Sequence, residues 1–372
     1  MFGTDRLLRE IPSWKHARIG LVTNEAATTS TGLPTRKALL DHGFGLTMLF
    51  SPEHGLDARG VDGARMEHGY DVLTGLPVVS LYGDQLAPSP QDLDRLDVLL
   101  FDIPDIGCRF YTYLWTMTYV LEACSRSGTP LVILDRPNPL SGRLNLAEGP
   151  RLDARCASFI GRWDIPLRHS ATLGELALYF NAERKLGARV DVVRCEGWTR
   201  AQFQPEGGLP FVPTSPAIRT FASALLYPGL GLLEATNVSE GRGTDRAFQV
   251  AGAPWMRSFT FPGSEPDSFR STESKYAEDT CYGIRFRVPD PSSFHSVENG
   301  FRLLYALRGI PGFAWNTYPT HVNPSGGGHL DLLTGIFESE ALFETEPDTA
   351  TLTRLLAVPE WAEEIRPYLL YD

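Results

Sequence analysis

The chain has 372 residues, 42% of them apolar and 21% charged, which is the make-up of globular material rather than a disordered or coiled-coil chain. A net charge of −11 with no Lys/Arg cluster excludes partners that present a phosphate backbone, so no nucleic acid is expected. Five scattered cysteines, an odd number without C-x-x-C spacing, exclude a complete disulfide framework, and the length exceeds what one core usually serves.

In chain order, the start carries Asp5, Arg6, Arg9 and Glu10 with no apolar run. No secretory signal or membrane insertion is read there, and a cytoplasmic protein is expected. Buried-strand runs follow at Arg18–Asn24, Leu46–Phe50, Val78–Tyr82, Val98–Ile103 and Leu131–Leu134. Helical stretches lie between them, at Thr35–His42 and at Thr112–Ser127, where Gly128 supplies the stop. This alternation predicts an α/β fold with a mostly parallel sheet wrapped by helices. Thr172 with Glu175 three residues on reads as a capping box opening a helix to Asn181, and Arg189–Cys195 reads as another strand. Pro205–Pro216 reads as an irregular connection, and Leu225–Thr244 ends in a Gly-rich polar segment. Strand-like Tyr282–Val288 and helix-like Ser296–Leu307 suit a second, smaller α/β domain. The two domains are placed at residues 1–225 and 226–372.

Open α/β sheets bind ligands beyond the carboxyl ends of their strands, so the strand-end turns are the place to look for chemistry. They bring Asn24, Glu53-His54, Asp102 to Asp105, and Asp135-Arg136-Pro137-Asn138 to one rim. Carboxyl groups there, next to flat aromatic faces at Tyr111 and Tyr113, are the ingredients of glycoside cleavage: an acid for the leaving oxygen and a second carboxylate across the ring. Glu53 is the first choice for the acid, with capping of the following turn as its other use. Asp102, Asp105 and Glu240 are the candidates for the second carboxylate, and turn-forming hydrogen bonds are the competing use of the two aspartates. Arg109, Arg136, Arg168 and Arg242 could build a pocket for a small carboxylate. A metal reading would need His54 with Asp102 or Asp135, but no H-x-x-x-H or H-E-x-x-H pair exists, and no metal is expected. The dinucleotide fingerprint is missing after the first strand, so no nucleotide cofactor is expected either.

Five motifs carry a family resemblance: Ser51-Pro52-Glu53-His54-Gly55; Thr74-Gly75-Leu76-Pro77 with Ser80-Leu81-Tyr82-Gly83; Phe101-Asp102 through Arg109-Phe110-Tyr111-Thr112-Tyr113; Leu134-Asp135-Arg136-Pro137-Asn138-Pro139; and Thr236-Asn237-Val238-Ser239-Glu240-Gly241-Arg242-Gly243-Thr244. Together they resemble the exo-β-N-acetylmuramidase (NamZ) family, formerly the domain of unknown function DUF1343, from about Gly20 to Tyr371. The resemblance implies a Rossmann-like N-terminal domain, a smaller C-terminal domain and an active site between them. It also implies release of N-acetylmuramic acid from the non-reducing end of peptidoglycan fragments. On that basis Glu53 is expected as general acid, with Asp105 or Glu240 as its partner. Asn24, His54, Asp102, Arg109, Tyr111, Tyr113, Asp135, Arg136, Asn138, Asn237 and Arg242 are expected around the substrate, and an arginine, Arg109 or Arg242, is expected on the lactyl carboxylate. A muropeptide-binding protein without turnover and a metal-assisted hydrolase are the alternative readings.

Overall fold

The fold is taken from a computed structural model that describes residues 1–58, 60, 68–206, 209, 211–273, 275–288 and 290–372. Of the Pro-rich connection expected at Pro205–Pro216, Gly207, Gly208 and Pro210 lie outside the described residues.

In chain order the elements of the first unit are α1 (Gly3–Glu10), β1 (Ile19–Thr23), α2 (Thr35–Asp41), β2 (Leu46–Ser51), β3 (Gly69–Tyr70), β4 (Pro77–Ser80), α3 (Pro90–Leu93), β5 (Val98–Asp102), α4 (Tyr113–Ser127), β6 (Leu131–Leu134), α5 (Leu173–Glu183) and β7 (Val190–Val193). Its seven-stranded sheet runs β3-β4-β2-β1-β5-β6-β7, parallel throughout except for the short edge strand β3. The apolar runs are continuous because both faces of the sheet are covered. On one face Leu21, Leu49, Val98 and Leu100 pack with Leu7 of α1 and Leu39 of α2. On the other face Val22, Phe50, Leu99 and Phe101 pack with Trp115 of α4 and Leu176 of α5.

The local signals act as their chemistry dictates. Thr172 caps α5, its side chain accepting from the Glu175 N–H while the Glu175 carboxylate accepts from the Thr172 N–H. Gly128 ends α4 in the left-handed region at φ +75°, donating to the Cys124 carbonyl. The five cysteines are all buried and unpaired. Among the described residues no helix is long and apolar enough to cross a membrane.

The remainder adds α6 (Phe221–Leu230), a 3-10 turn at Gly231–Ala235, β8 (Val250–Ala253), β9 (Ser264–Arg270), β10 (Thr280–Phe286), α7 (Ser296–Arg308) and α8 (His329–Thr334). The three strands form an antiparallel sheet ordered β8-β10-β9. The helix α6 is not among the expected elements, and packing holds it in place. A Cβ on Gly229 would lie 2.0 Å from the Ser296 carbonyl oxygen and one on Gly300 would lie 2.5 Å from Gly229 Cα, so these glycines let α6 and α7 touch backbone to backbone. One apolar cluster then runs unbroken from Val22 and Phe101 through Leu225 to Phe301 and Trp361. The two sheets share a core, and the fold class is α/β with a mostly parallel sheet and a smaller second sheet.

Candidate active site

The turn after β2 supplies the first wall of the cleft. Glu53 is 5% exposed, and Thr112 at the start of α4 donates to its Oε2 at 2.7 Å. His54 takes a left-handed backbone, φ +67°, and its Nδ1 donates to the Gly60 carbonyl at 2.8 Å. Beside them Tyr111 donates to Thr214 Oγ1 at 2.7 Å and Tyr113 to the Thr214 carbonyl at 3.1 Å, tying the segment before α6 against the sheet. Burial first, and then the charges of Asp105 and Glu53, push the Tyr111 phenol far above its ordinary range. Tyr113 is raised in the same direction by burial, by Tyr111 and by Glu53. Two neutral phenols thus flank a nearly buried carboxyl group.

The second wall comes from the 3-10 turn and the Gly-rich segment. Glu234 is 5% exposed and accepts from Arg242 Nη2 at 2.6 Å. His329, the first residue of α8, sits with Nε2 3.6 Å from the other Glu234 oxygen and stacks on Tyr318 at 4.6 Å between centroids. Between the two walls lies a cleft of about 590 Å³, lined by Glu53, His54, Tyr111 and Thr112 on one side and by Tyr227, Glu234, Arg242 and His329 on the other. Its mix of aromatic and a few convergent charged groups is what small-molecule sites require.

Several residues expected at the site lie elsewhere. Asp102 is fully buried and accepts from Thr4 at 2.7 Å, from Thr35 at 2.5 Å and from Arg136 Nε and Nη2 at 2.6 and 3.0 Å. Arg136 also donates to the Thr28 carbonyl at 2.6 Å and lies over the Phe2 ring. Asp135 accepts from Thr172, the Gly174 N–H and Tyr371, and burial raises its carboxyl to about 6. Asn138 bridges the Ala171 carbonyl and the Leu140 N–H, and Asn24 accepts from the Ala26 N–H. Asn237 pins the chain at Gly312 and Ala314. Glu240 is fully buried behind Arg242, 3.0 Å from Lys275 Nζ and 3.4 Å from Arg242 Nε. Asp105 accepts from the Gly107 N–H at 2.8 Å and faces His169 Nε2 at 3.3 Å, beside smaller cavities rather than the cleft.

Arg109 is the clearest displacement. Its guanidinium is fully buried and donates to the carbonyls of Pro150, Ile165, Leu333 and Thr334 at 2.6 to 3.2 Å, and burial lowers it to about 10. It braces the two units against each other and does not reach the cleft. Arg168 is likewise spent on the Phe294 and Leu140 carbonyls. Of the four arginines raised from the sequence, Arg242 lines the cleft. The mixed metal site does not assemble either: Asp102 and Asp135 point into separate hydrogen-bond hubs away from His54. Among the described residues no three His, Cys, Asp or Glu side chains converge as a metal cage.

Of the expected residues, then, the cleft holds Glu53, His54, Tyr111 and Arg242, and it adds Glu234 and His329, which the sequence reading did not select. A signal for Glu234 existed: a lone carboxylate closing the apolar run Leu230-Gly231-Leu232-Leu233 is costly to bury unless it is paired and used. His329 follows three glycines that break the chain before a helix.

Residues 19–222 match the family model described as "Exo-beta-N-acetylmuramidase NamZ, N-terminal", and residues 225–371 match its C-terminal counterpart. The chain is 38% identical over 346 residues to the peptidoglycan beta-N-acetylmuramidase NamZ of Bacillus subtilis (strain 168), covering 90% of this chain and 81% of that protein. Crystal structures of two DUF1343 family proteins from Bacteroides fragilis NCTC 9343 superpose on the whole chain with TM-scores of 0.85 and 0.78, each at 28% identity and covering 98% and 99% of those chains.

Proposed function

Because the chain belongs to the exo-β-N-acetylmuramidase NamZ family, we propose that it is a glycosidase that releases N-acetylmuramic acid from the non-reducing end of peptidoglycan fragments, with Glu53 as the general acid. The observation that carries the reading is a single cleft in which Glu53 and Glu234 stand on the walls supplied by the two units.

Glu53 suits proton donation. It is nearly buried on the wall of the cleft, and the Thr112 hydroxyl fixes its Oε2. Its proton passes to the bridging oxygen as the bond to the anomeric carbon breaks. Glu234, held on the facing wall by the Arg242 guanidinium on Oε1, suits the second part. It activates water, or shields the positive charge that builds on the sugar, and so takes the part expected of Asp105 or Glu240. Neither of those carboxylates lines this cleft. Arg242, which lines the cleft, is our candidate for meeting the lactyl carboxylate that distinguishes muramic acid from glucosamine.

The test compares para-nitrophenyl N-acetylmuramide with the matching N-acetylglucosaminide. Colour from the muramide and little from the glucosaminide is expected, and Arg242→Met should reduce turnover of the muramide far more than that of the glucosaminide. Release from the glucosaminide alone, or from neither, would overturn the reading.

A further inference from the structure

The segment 316–328 leaves the second unit, crosses to the first and returns to α8. Its root lies next to the candidate site: the Asn316 N–H donates to the Ala235 carbonyl one residue after Glu234, and Tyr318 stacks on His329. Tyr318, Thr320 and Val322 face the cleft. At the far end His321 Nε2 donates to the Gly83 carbonyl at 3.1 Å, and its ring meets Tyr82 edge-on at 6.1 Å. Tyr82 and Gly83 follow β4, the strand next to β2, and β2 delivers Glu53. The segment therefore bridges the two walls one strand beyond the proposed acid.

Its shape is built in rather than borrowed from the contact. The Tyr318 N–H donates to Gly326, the Thr320 N–H to Asn323 and the Asn323 N–H to Thr320 Oγ1, each at 3.0 Å. Gly326 takes φ +63° where a Cβ would lie 2.4 Å from Pro319 N, so only glycine closes this turn. An exposed hydrogen bond to Gly83 is worth little by itself, and a self-closed turn is what lets so light a contact hold its place.

We propose that segment 316–328 is the specificity-determining wall that restricts the enzyme to chain ends. With the cleft bridged there, a terminal sugar fits between the strap and the catalytic pair. A glycan continuing past that sugar would run into the strap. This inference rests on the muramidase reading, and the experiment separates the two.

The probe is a tetrasaccharide of alternating N-acetylglucosamine and N-acetylmuramic acid that begins with N-acetylglucosamine, so that its single muramyl bond is internal. Hydrolysis of that bond consumes one water and gives two disaccharides. The unaltered enzyme should hydrolyse para-nitrophenyl muramide and leave the tetrasaccharide intact. In a variant with residues 320–325 replaced by two glycines, the ratio of tetrasaccharide to para-nitrophenyl muramide cleavage should rise about tenfold or more, the scale on which site contacts discriminate substrates. The double variant His321→Gly/Val322→Gly, which keeps the chain length and decides the matter should the shortened one not fold, should move the same ratio in the same direction. An unchanged ratio overturns the proposal, as does tetrasaccharide cleavage by the unaltered enzyme. So does loss of para-nitrophenyl muramide turnover in folded variants, which would make the strap part of the catalytic machinery. An unaltered enzyme inert on para-nitrophenyl muramide would instead defeat the muramidase reading.

Discussion

Two sectors of one sheet edge carry equally polar strand-end motifs and do opposite things. Past β2 and β4, Glu53 and His54 line the cleft opposite side chains that come from another unit. Past β5 and β6, Asp102, Asp135, Arg136 and Asn138 face one another and their own neighbours, with the donors and acceptors largely satisfied. The second sector includes the β1/β5 position where the strand order reverses, the place at which this sheet type usually binds a ligand. Here the protein fills it: α1 begins there with Gly3 donating to the Asp135 carbonyl, Thr4 on Asp102 and Phe2 under Arg136. Among the described residues, then, a polar strand end lines the cleft past β2 and is taken up in internal hydrogen bonds past β5 and β6.

The comparison breaks if chemistry can be removed from the filled sector or stability from the cleft-lining one. In the cleft-lining sector, Glu53→Gln keeps an oxygen for the Thr112 hydroxyl, so the thermal midpoint should hold while turnover falls by roughly 10²- to 10⁴-fold, the usual weight of a positioned acid. Turnover near normal on para-nitrophenyl muramide would remove Glu53 from its role. In the filled sector, Asp102→Ala strands the Arg136 guanidinium inside the protein and takes the acceptor from Thr4 and Thr35. Such losses cost about 3–5 kcal/mol, to be read from the denaturant midpoint, while activity per folded molecule should change only a few-fold. A variant that loses activity but not stability would move Asp102 back to the substrate.

The sheet was legible in the sequence because a strand buried on both faces must be apolar along its length, and each predicted strand of the parallel sheet lies within two residues of its observed ends. The helix α6 was not, since the contact that holds it, Gly229 against Gly300 of α7, joins residues far apart in the chain. The site was half legible. Glu53 and Asp102 are indistinguishable as strand-end carboxylates, and what separates them comes from far along the chain: Thr4 and Thr35 close one, and Glu234 and His329 open opposite the other. Arg109 shows the same limit. Its motif marks it as special, but only the fold reveals that it is spent on the carbonyls of Pro150, Ile165, Leu333 and Thr334.

Asp135 gives the finest test, because its burden depends on pH. Burial raises its carboxyl from 3.8 to about 6, against the pull of the donors Tyr371, Thr172 and the Gly174 N–H. The folded protein therefore holds this proton more tightly than the unfolded chain does. The favourable contribution is complete below about pH 4 and is lost as pH rises through about 6, a change of at most about 3 kcal/mol. Asp135→Asn cannot titrate, and its amide sits awkwardly against the Gly174 N–H, so it should be less stable than the unaltered protein at low pH. The gap between the two should narrow from pH 4 to pH 7, as the unaltered protein alone comes to bear an ionised carboxylate in its interior. Chemical denaturation of both proteins at pH 4, 5, 6 and 7 measures that gap directly, since every other titrating group is common to the pair. A gap that stays constant would mean that the Tyr371, Thr172 and Gly174 donors hold the folded carboxyl at its ordinary value.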